Sequence, residues 1–262
     1  MEREDYDDLL SSEAKDEIKD KQLKKNLGFK IDPVTYVAII GDHSGSMGDP
    51  VDGKADKVVL KKTLAMSNFN EQIATLKLES EEGMETIVTV IEFDSEIICP
   101  YDNVPVRHIE PLTDYWTRGM TSLYDAIAYG ISRVDEHMKK DEREDKAALV
   151  IIETDGYENS SDDYSKKSGG TARIKSLIEE MEKGNWTFTF LGAGINESLA
   201  EDLGMVRGNI QTTRQGNMHD VVYAYAMQNE GTKNFMGARK TGMMKSKNFY
   251  DIPDVKKGKD AK

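Results

Sequence analysis

This chain of 262 residues has one cysteine, four histidines and no long apolar run. Each scarcity excludes something. The lone Cys99 rules out an internal disulfide, and it reads as a core or edge-strand residue in a reducing compartment. No stretch approaches the roughly 18 apolar residues that a membrane-spanning helix needs. Met1-Glu2-Arg3-Glu4-Asp5 has neither the basic start nor the apolar stretch of a secretory leader. The expectation is a cytoplasmic protein with no membrane partner. His43, His108, His137 and His219 form no His-x-x-x-His or comparable metal pattern. A Gly-x-x-x-x-Gly-Lys-Ser/Thr phosphate loop and a Gly-x-Ser-x-Gly nucleophile elbow are both missing.

Positive charge is also short. The chain carries 35 basic against 48 acidic residues, a net charge of −13. That disfavours nonspecific nucleic-acid binding, which needs a basic surface. It favours accumulation of divalent cations nearby. The charge is uneven. Residues 1–20 hold nine acidic and three basic groups, and residues 231–262 hold nine basic and three acidic ones. Two solvated tails are the plain reading. Self-association through the oppositely charged tails is the alternative. With 38% hydrophobic and 32% charged residues, the length suits one domain with extensions.

What is present is concentrated in three segments. Tyr36-Val37-Ala38-Ile39-Ile40-Gly41 reads as a buried strand. It runs into Asp42-His43-Ser44-Gly45-Ser46, one carboxylate and two hydroxyls spaced two apart in a Gly-containing turn. These are hard oxygen donors, which Mg²⁺ or Mn²⁺ prefers. Gly119-Met120-Thr121-Ser122 places another hydroxyl in a loop that opens a helix. Ala148-Leu149-Val150-Ile151-Ile152-Glu153-Thr154-Asp155-Gly156 is a second apolar strand ending in a carboxylate. Ligands of open α/β sheets bind just outside the carboxyl ends of the strands.

The order Asp-x-Ser-x-Ser, Thr, Thr-Asp-Gly resembles the metal-ion-dependent adhesion site of the von Willebrand factor type A (vWA) family. The resemblance covers roughly Val34 to Asn229 and is strongest to single-domain intracellular bacterial and phage members. It implies an α/β, Rossmann-like, doubly wound and mostly parallel six-stranded sheet. The implied strand order is 3-2-1-4-5-6, with strand 3 antiparallel at the edge and helices on both faces. It also implies a metal site made by Asp42, Ser44, Ser46, Thr121 and Asp155. Ser44 and Ser46 would bind the ion directly, and Thr121 would do so when a partner is engaged. Asp42 and Asp155 would act through water or through hydrogen bonds to the hydroxyls. His43 stands where the family more often has Arg, Thr or Val. It reads as an outward-facing loop residue, because imidazole suits Mg²⁺ poorly.

The elements fall in alternation, which predicts a parallel sheet covered on both faces. Strands are expected at 36–41, 86–93, 96–101, 147–153, 186–191 and, weakly, within 205–213. Helices are expected at 12–27, 54–77, 122–139, 171–183, 196–203 and 218–229. The domain plan is an acidic helical extension over 1–32, a vWA domain over 33–230, and a basic tail over 231–262 without fixed structure, whose loss should cost little stability. Asp94 and Glu153 read as structural hydrogen-bond acceptors, and Asp125 as a capping or solvated residue. Gly194-Ile195-Asn196 would touch a ligand or cap the next helix.

The function expected from this set is a non-enzymatic protein-interaction module. It would bind an exposed Asp or Glu of a partner protein through a resident Mg²⁺, with Mn²⁺ as substitute. Two other classes compete. One is a Mg²⁺-dependent hydrolase using Asp42 or Asp155, although the second Asp expected of one phosphatase class is replaced by Ser44. The other is a scaffold component of a larger assembly, such as a phage particle.

Overall fold

The computed structural model describes residues 33–52, 58–80 and 84–251. The extension expected over 1–32, including its helix at 12–27, lies outside the described residues. Six strands form one sheet: β1 (Val34–Asp42), β2 (Glu85–Phe93), β3 (Ile97–Pro105), β4 (Lys146–Thr154), β5 (Trp186–Ala193) and β6 (Ile210–Thr213). Their order is β3-β2-β1-β4-β5-β6, and only β3 runs antiparallel. Among the described residues five α-helices alternate with them: α1 (Lys61–Glu79), α2 (Leu123–Lys140), α3 (Gly170–Met181), α4 (Ser198–Asp202) and α5 (Met218–Lys240). The expected α/β fold, strand order and antiparallel edge are all present. Among the described residues no helix is long and apolar enough to cross a membrane.

β1 shows why the sheet is buried on both sides. Val34, Tyr36, Ala38 and Ile40 face one layer, packing with Leu123, Ile127, Ile131 and Val134 of α2 and Ile174 and Ile178 of α3. Val37 and Ile39 face the other, packing with Phe69, Ile73 and Leu76 of α1 and Met227, Phe235 and Met236 of α5. A strand covered on both faces reads as a continuous apolar run rather than an alternating one. β1 pairs with β2 on one side and with β4 on the other. The connections from these strands leave on opposite faces, so a crevice opens at their carboxyl ends.

Two boundaries differ from expectation. α1 begins at Lys61 rather than near 54, because 49–51 and 59–61 pair as two short antiparallel segments: Val51 N donates to Val59 O at 2.9 Å, and Lys61 N to Asp49 O at 3.0 Å. The larger correction concerns 231–251. The last helix does not stop at 229 but continues to Lys240, and the segment after it is packed, not loose. Arg239 is fully buried. Its guanidinium reaches Asp145 Oδ1 at 2.8 Å, Thr35 Oγ1 at 3.1 Å and the carbonyl oxygens of Met243 and Val34 at 2.8 and 3.2 Å. Beyond it, Ser246 N donates to Thr187 Oγ1 at 2.9 Å, and Phe249 N to Asn209 Oδ1 at 2.9 Å. Phe249 and Tyr250 then complete the layer under α1 and α5. Gly231 permits this, since a Cβ there would stand 2.6 Å from the Phe249 ring. Residues 252–262 lie outside the described set.

Between α1 and α5 the layer is polar. Asn68 Nδ2 donates to Gln228 Oε1 at 2.7 Å and to Glu153 Oε1 at 2.8 Å, and Thr232 Oγ1 donates to Gln72 Oε1 at 2.9 Å. Glu153 is thus the structural acceptor expected of it. Burial pushes its carboxyl up from 4.5 to about 7, against the opposing effect of the Asn68 and Gln228 hydrogen bonds.

Two outcomes follow from these packings. Phe249→Ala should lower the unfolding free energy by about 3 kcal/mol in urea titration, whereas a loosely attached segment would show almost no change. The raised Glu153 value means that its contribution to stability is complete below about pH 4.5 and is lost as pH rises through about 7. Glu153→Gln should therefore melt higher than the parent at pH 8 and at nearly the same temperature at pH 4.5.

Candidate metal centre

Asp42 ends β1 and is fully buried. Its Oδ1 accepts from Ser44 N at 2.7 Å, the side-chain turn that Asp forms with the backbone two residues on. Its Oδ2 accepts from Thr154 Oγ1 at 2.5 Å, across from the end of β4. The chain then winds into a short 3₁₀ turn over Gly45–Gly48. This turn sets Ser44 Oγ 3.1 Å from Ser46 Oγ, and Ser46 Oγ donates to Asp155 Oδ1 at 2.7 Å. Asp155 Oδ2 in turn lies 2.5 Å from Lys61 Nζ.

Thr121 arrives from the opposite side. Its N–H donates to Asn159 Oδ1 at 2.9 Å, and its carbonyl accepts from Asn159 N at 3.0 Å. Gly156 sits between it and Asp42. A Cβ on Gly156 would stand 2.9 Å from Thr121 Oγ1 and 3.6 Å from Asp42 Oδ2. Glycine is what lets the Thr121 hydroxyl and the Asp42 carboxylate share this corner. All five sequence-derived residues therefore converge, four in one hydrogen-bonded chain and Thr121 alongside.

The loop ahead of Thr121 is clamped to the loop after β1. His43 is the anchor, and here the expectation of an outward-facing residue fails. The ring is buried, stacked on Tyr115 at 3.8 Å between centroids and 9° between planes, with Trp116 at 4.3 Å. Nδ1 donates to the carbonyl oxygen of Trp116 at 2.9 Å. Burial lowers the imidazole to about 4, so it is neutral at physiological pH. Tyr115 Oη donates to the carbonyl of Asp42 at 2.6 Å, and Arg118 N to the carbonyl of His43 at 2.9 Å. Asp94 plays the structural part expected, accepting from Arg118 Nε and Glu96 N at 2.7 Å each. Asp125 instead accepts from the backbone of Asp162 and Tyr164 at 2.8 Å, which fixes the loop after Asp155. Asn196 Oδ1 accepts from Ser198 N, at the start of α4, at 3.1 Å.

Burial also pushes the Asp42 carboxyl up to about 6, with the Asp155 carboxylate adding to it and the Ser44 and Thr154 hydrogen bonds opposing it. The donor set suits a hard divalent ion: two serine hydroxyls and a threonine hydroxyl, with carboxylates behind them. No cluster of three or more His, Cys, Asp or Glu side chains able to hold a metal occurs among the described residues. Hydroxyl donors are what bring the five residues into consideration. Sequence reasoning missed Thr154 and Lys61. Thr154 had a signal in its place beside Asp155, whereas Lys61 is 94 positions from its partner and had none. Thr154→Val should cost about 1–3 kcal/mol in urea unfolding, because it strips a donor from a buried carboxylate.

No family model and no curated protein sequence matches the chain. Solved structures do. The PilB minor pilin from Streptococcus sanguinis aligns with a TM-score of 0.56 at 12% identity, over 79% of this chain and 62% of that one. A von Willebrand factor type A protein from Catenulispora acidiphila aligns at 0.52 and 18%, over 79% of this chain and 43% of its own. The SpRpn10 VWA domain aligns at 0.50 and 12%, over 74% of this chain and 94% of the domain. The chain thus spans about three-fifths of the pilin chain and nearly all of the isolated domain. At these identities the likeness is one of fold, and the sheet order and helix layers agree with it: this chain has the von Willebrand factor type A fold.

Proposed function

We propose that the chain is a metal-dependent protein-interaction module and not an enzyme. The observation that carries the reading is the hydrogen-bonded chain from Asp42 through Ser44 and Ser46 to Asp155, with the Thr121 hydroxyl facing it across Gly156. Ser44, Ser46 and Thr121 would hold Mg²⁺, or Mn²⁺ in its place, while Asp42 and Asp155 orient them. Neutral hydroxyls leave the ion's charge poorly compensated, so it attracts a carboxylate from outside. The partner is accordingly a protein presenting an Asp or Glu. Met120 and Tyr157 flank the site and are 55% and 50% exposed, so the acidic side chain would stand among apolar neighbours.

The hydrolase reading has less support. Both oxygens of Asp42 already accept a hydrogen bond, one from Ser44 N and one from Thr154 Oγ1, and the carboxylate is fully buried, which places it poorly for attack on a substrate. Asp155 is likewise engaged by Ser46 and Lys61. The net charge of −13 argues against nucleic acid as partner. The half-buried free Cys99 on edge strand β3 suits a reducing compartment such as the cytoplasm.

Mg²⁺ or Mn²⁺ at about 100 times its dissociation constant should stabilise the fold by roughly 2.7 kcal/mol, read as a rise in melting temperature. Affinity capture with and without EDTA tests the partner. Thr121→Ala should weaken the complex while leaving the melting temperature in EDTA unchanged, and Asp42→Ala should abolish metal-dependent capture. A complex that survives EDTA and both substitutions would sink the metal bridge.

A further inference from the structure

A lysine at the first position of a helix is poorly placed. The helix N-terminus carries partial positive charge, and acidic residues are favoured there. α1 begins with Lys61-Lys62, has no acidic residue in its first turn and has no side-chain cap from Leu60. Lys61 is nonetheless held firmly. Its backbone N–H donates to Asp49 O at 3.0 Å, and Pro50 bridges Leu60 beside it. These contacts aim the side chain across a cleft of about 260 Å³ that Lys61 shares with Asp155, Thr154 and Met47. Its ammonium ends 2.5 Å from Asp155 Oδ2. The Asp155 carboxylate is fully buried, and the Lys61 side chain is only 24% exposed.

We infer that Lys61 is a tethered cation that competes with the divalent ion for Asp155 and thereby sets the metal affinity of the site. The inference rests on the metal-site reading above and adds to it a residue outside the Asp-x-Ser-x-Ser pattern. The reasoning is electrostatic. Asp155 has two oxygens: Ser46 takes one, and Lys61 takes the other. An ion bound by Ser44, Ser46 and Thr121 needs the Asp155 charge to complete its surroundings. As long as the ammonium sits on Oδ2, one of the two carboxylates in the centre is neutralised. Binding then requires the side chain to withdraw into the cleft, which has room for it. In return, Lys61 keeps Asp42 and Asp155 from standing as two unrelieved negative charges, so the fold stays intact at low metal. The affinity is lowered for the same reason that the protein is stable without the ion.

The test is Mn²⁺ affinity, measured by electron paramagnetic resonance and by calorimetry on the full chain. Lys61→Met keeps the length of the side chain and removes the charge. It should bind Mn²⁺ on the order of tenfold more tightly than the parent, and it should melt lower in EDTA. Lys61→Arg should stay within about threefold of the parent, because it keeps the cation. Lys62→Met, which removes the same charge one residue along the helix, should also stay within about threefold and separates the contact from net charge. Equal gains in Lys61→Met and Lys62→Met, or unchanged or weaker binding in Lys61→Met, would overturn the inference while leaving the metal site standing. Absence of Mn²⁺ binding in parent and variants alike would overturn both.

Discussion

Asp42 is a carboxylate buried at the end of the central strand, and much of the molecule is arranged around keeping it there. A buried acid without partners would be destabilising. Here the Ser44 N–H folds the following turn back onto one oxygen, and Thr154 crosses from β4 to meet the other. Those two bonds do local and long-range work together. The first creates the loop that carries Ser44 and Ser46. The second ties the ends of β1 and β4, the two strands between which the crevice opens. The neighbouring Asp155 is held by the same loop through Ser46.

The other half of the centre is held by aromatic packing, with the Arg118–Asp94 ion pair beside it. His43, Tyr115 and Trp116 form a stack that joins the loop after β1 to the loop before α2. Because burial keeps the imidazole neutral, the stack adds no charge beside the candidate metal centre. Thr121 is carried at the end of this clamped loop, and Asn159 meets its backbone from the third loop. Three loops are thus brought to one point by three different kinds of contact. Two of the loops leave the carboxyl ends of the buried strands β1 and β4, and the third leads into α2.

Much of this was legible in the sequence, for physical reasons. Continuous apolar runs such as Ala148–Ile152 are what a doubly covered strand requires, and their order gives the sheet. The five site residues were read from a resemblance, the order Asp-x-Ser-x-Ser, Thr, Thr-Asp-Gly, since Asp, Ser and Gly after a strand are by themselves ordinary turn formers. Residues whose role depends on partners far along the chain were not legible. Arg239 looks like a surface residue, and only its closeness to Asp145, Thr35 and Val34 turns it into a core one. Phe249 and Tyr250 follow the polar stretch Lys245-Ser246-Lys247-Asn248, where no period of 3.6 or 2 survives. His43 reads as solvent-facing because imidazole suits Mg²⁺ poorly, yet its fate is decided by Tyr115 and Trp116, some seventy residues away.

The packing of residues 218–250 bears on how the protein is made. All six strands have been synthesised by Thr213, but one face of the sheet then lacks half of its cover. During elongation α1 can shield its own part of that face, while the apolar side chains meant for α5, Phe249 and Tyr250 wait for those residues to clear the ribosome. A nascent chain at that stage is a nearly complete sheet with an open greasy flank, the kind of species that chaperones bind and that sticks to its own kind. Arg239 closes the interval: once it finds Asp145 and the start of β1, the central strand and α5 are latched together.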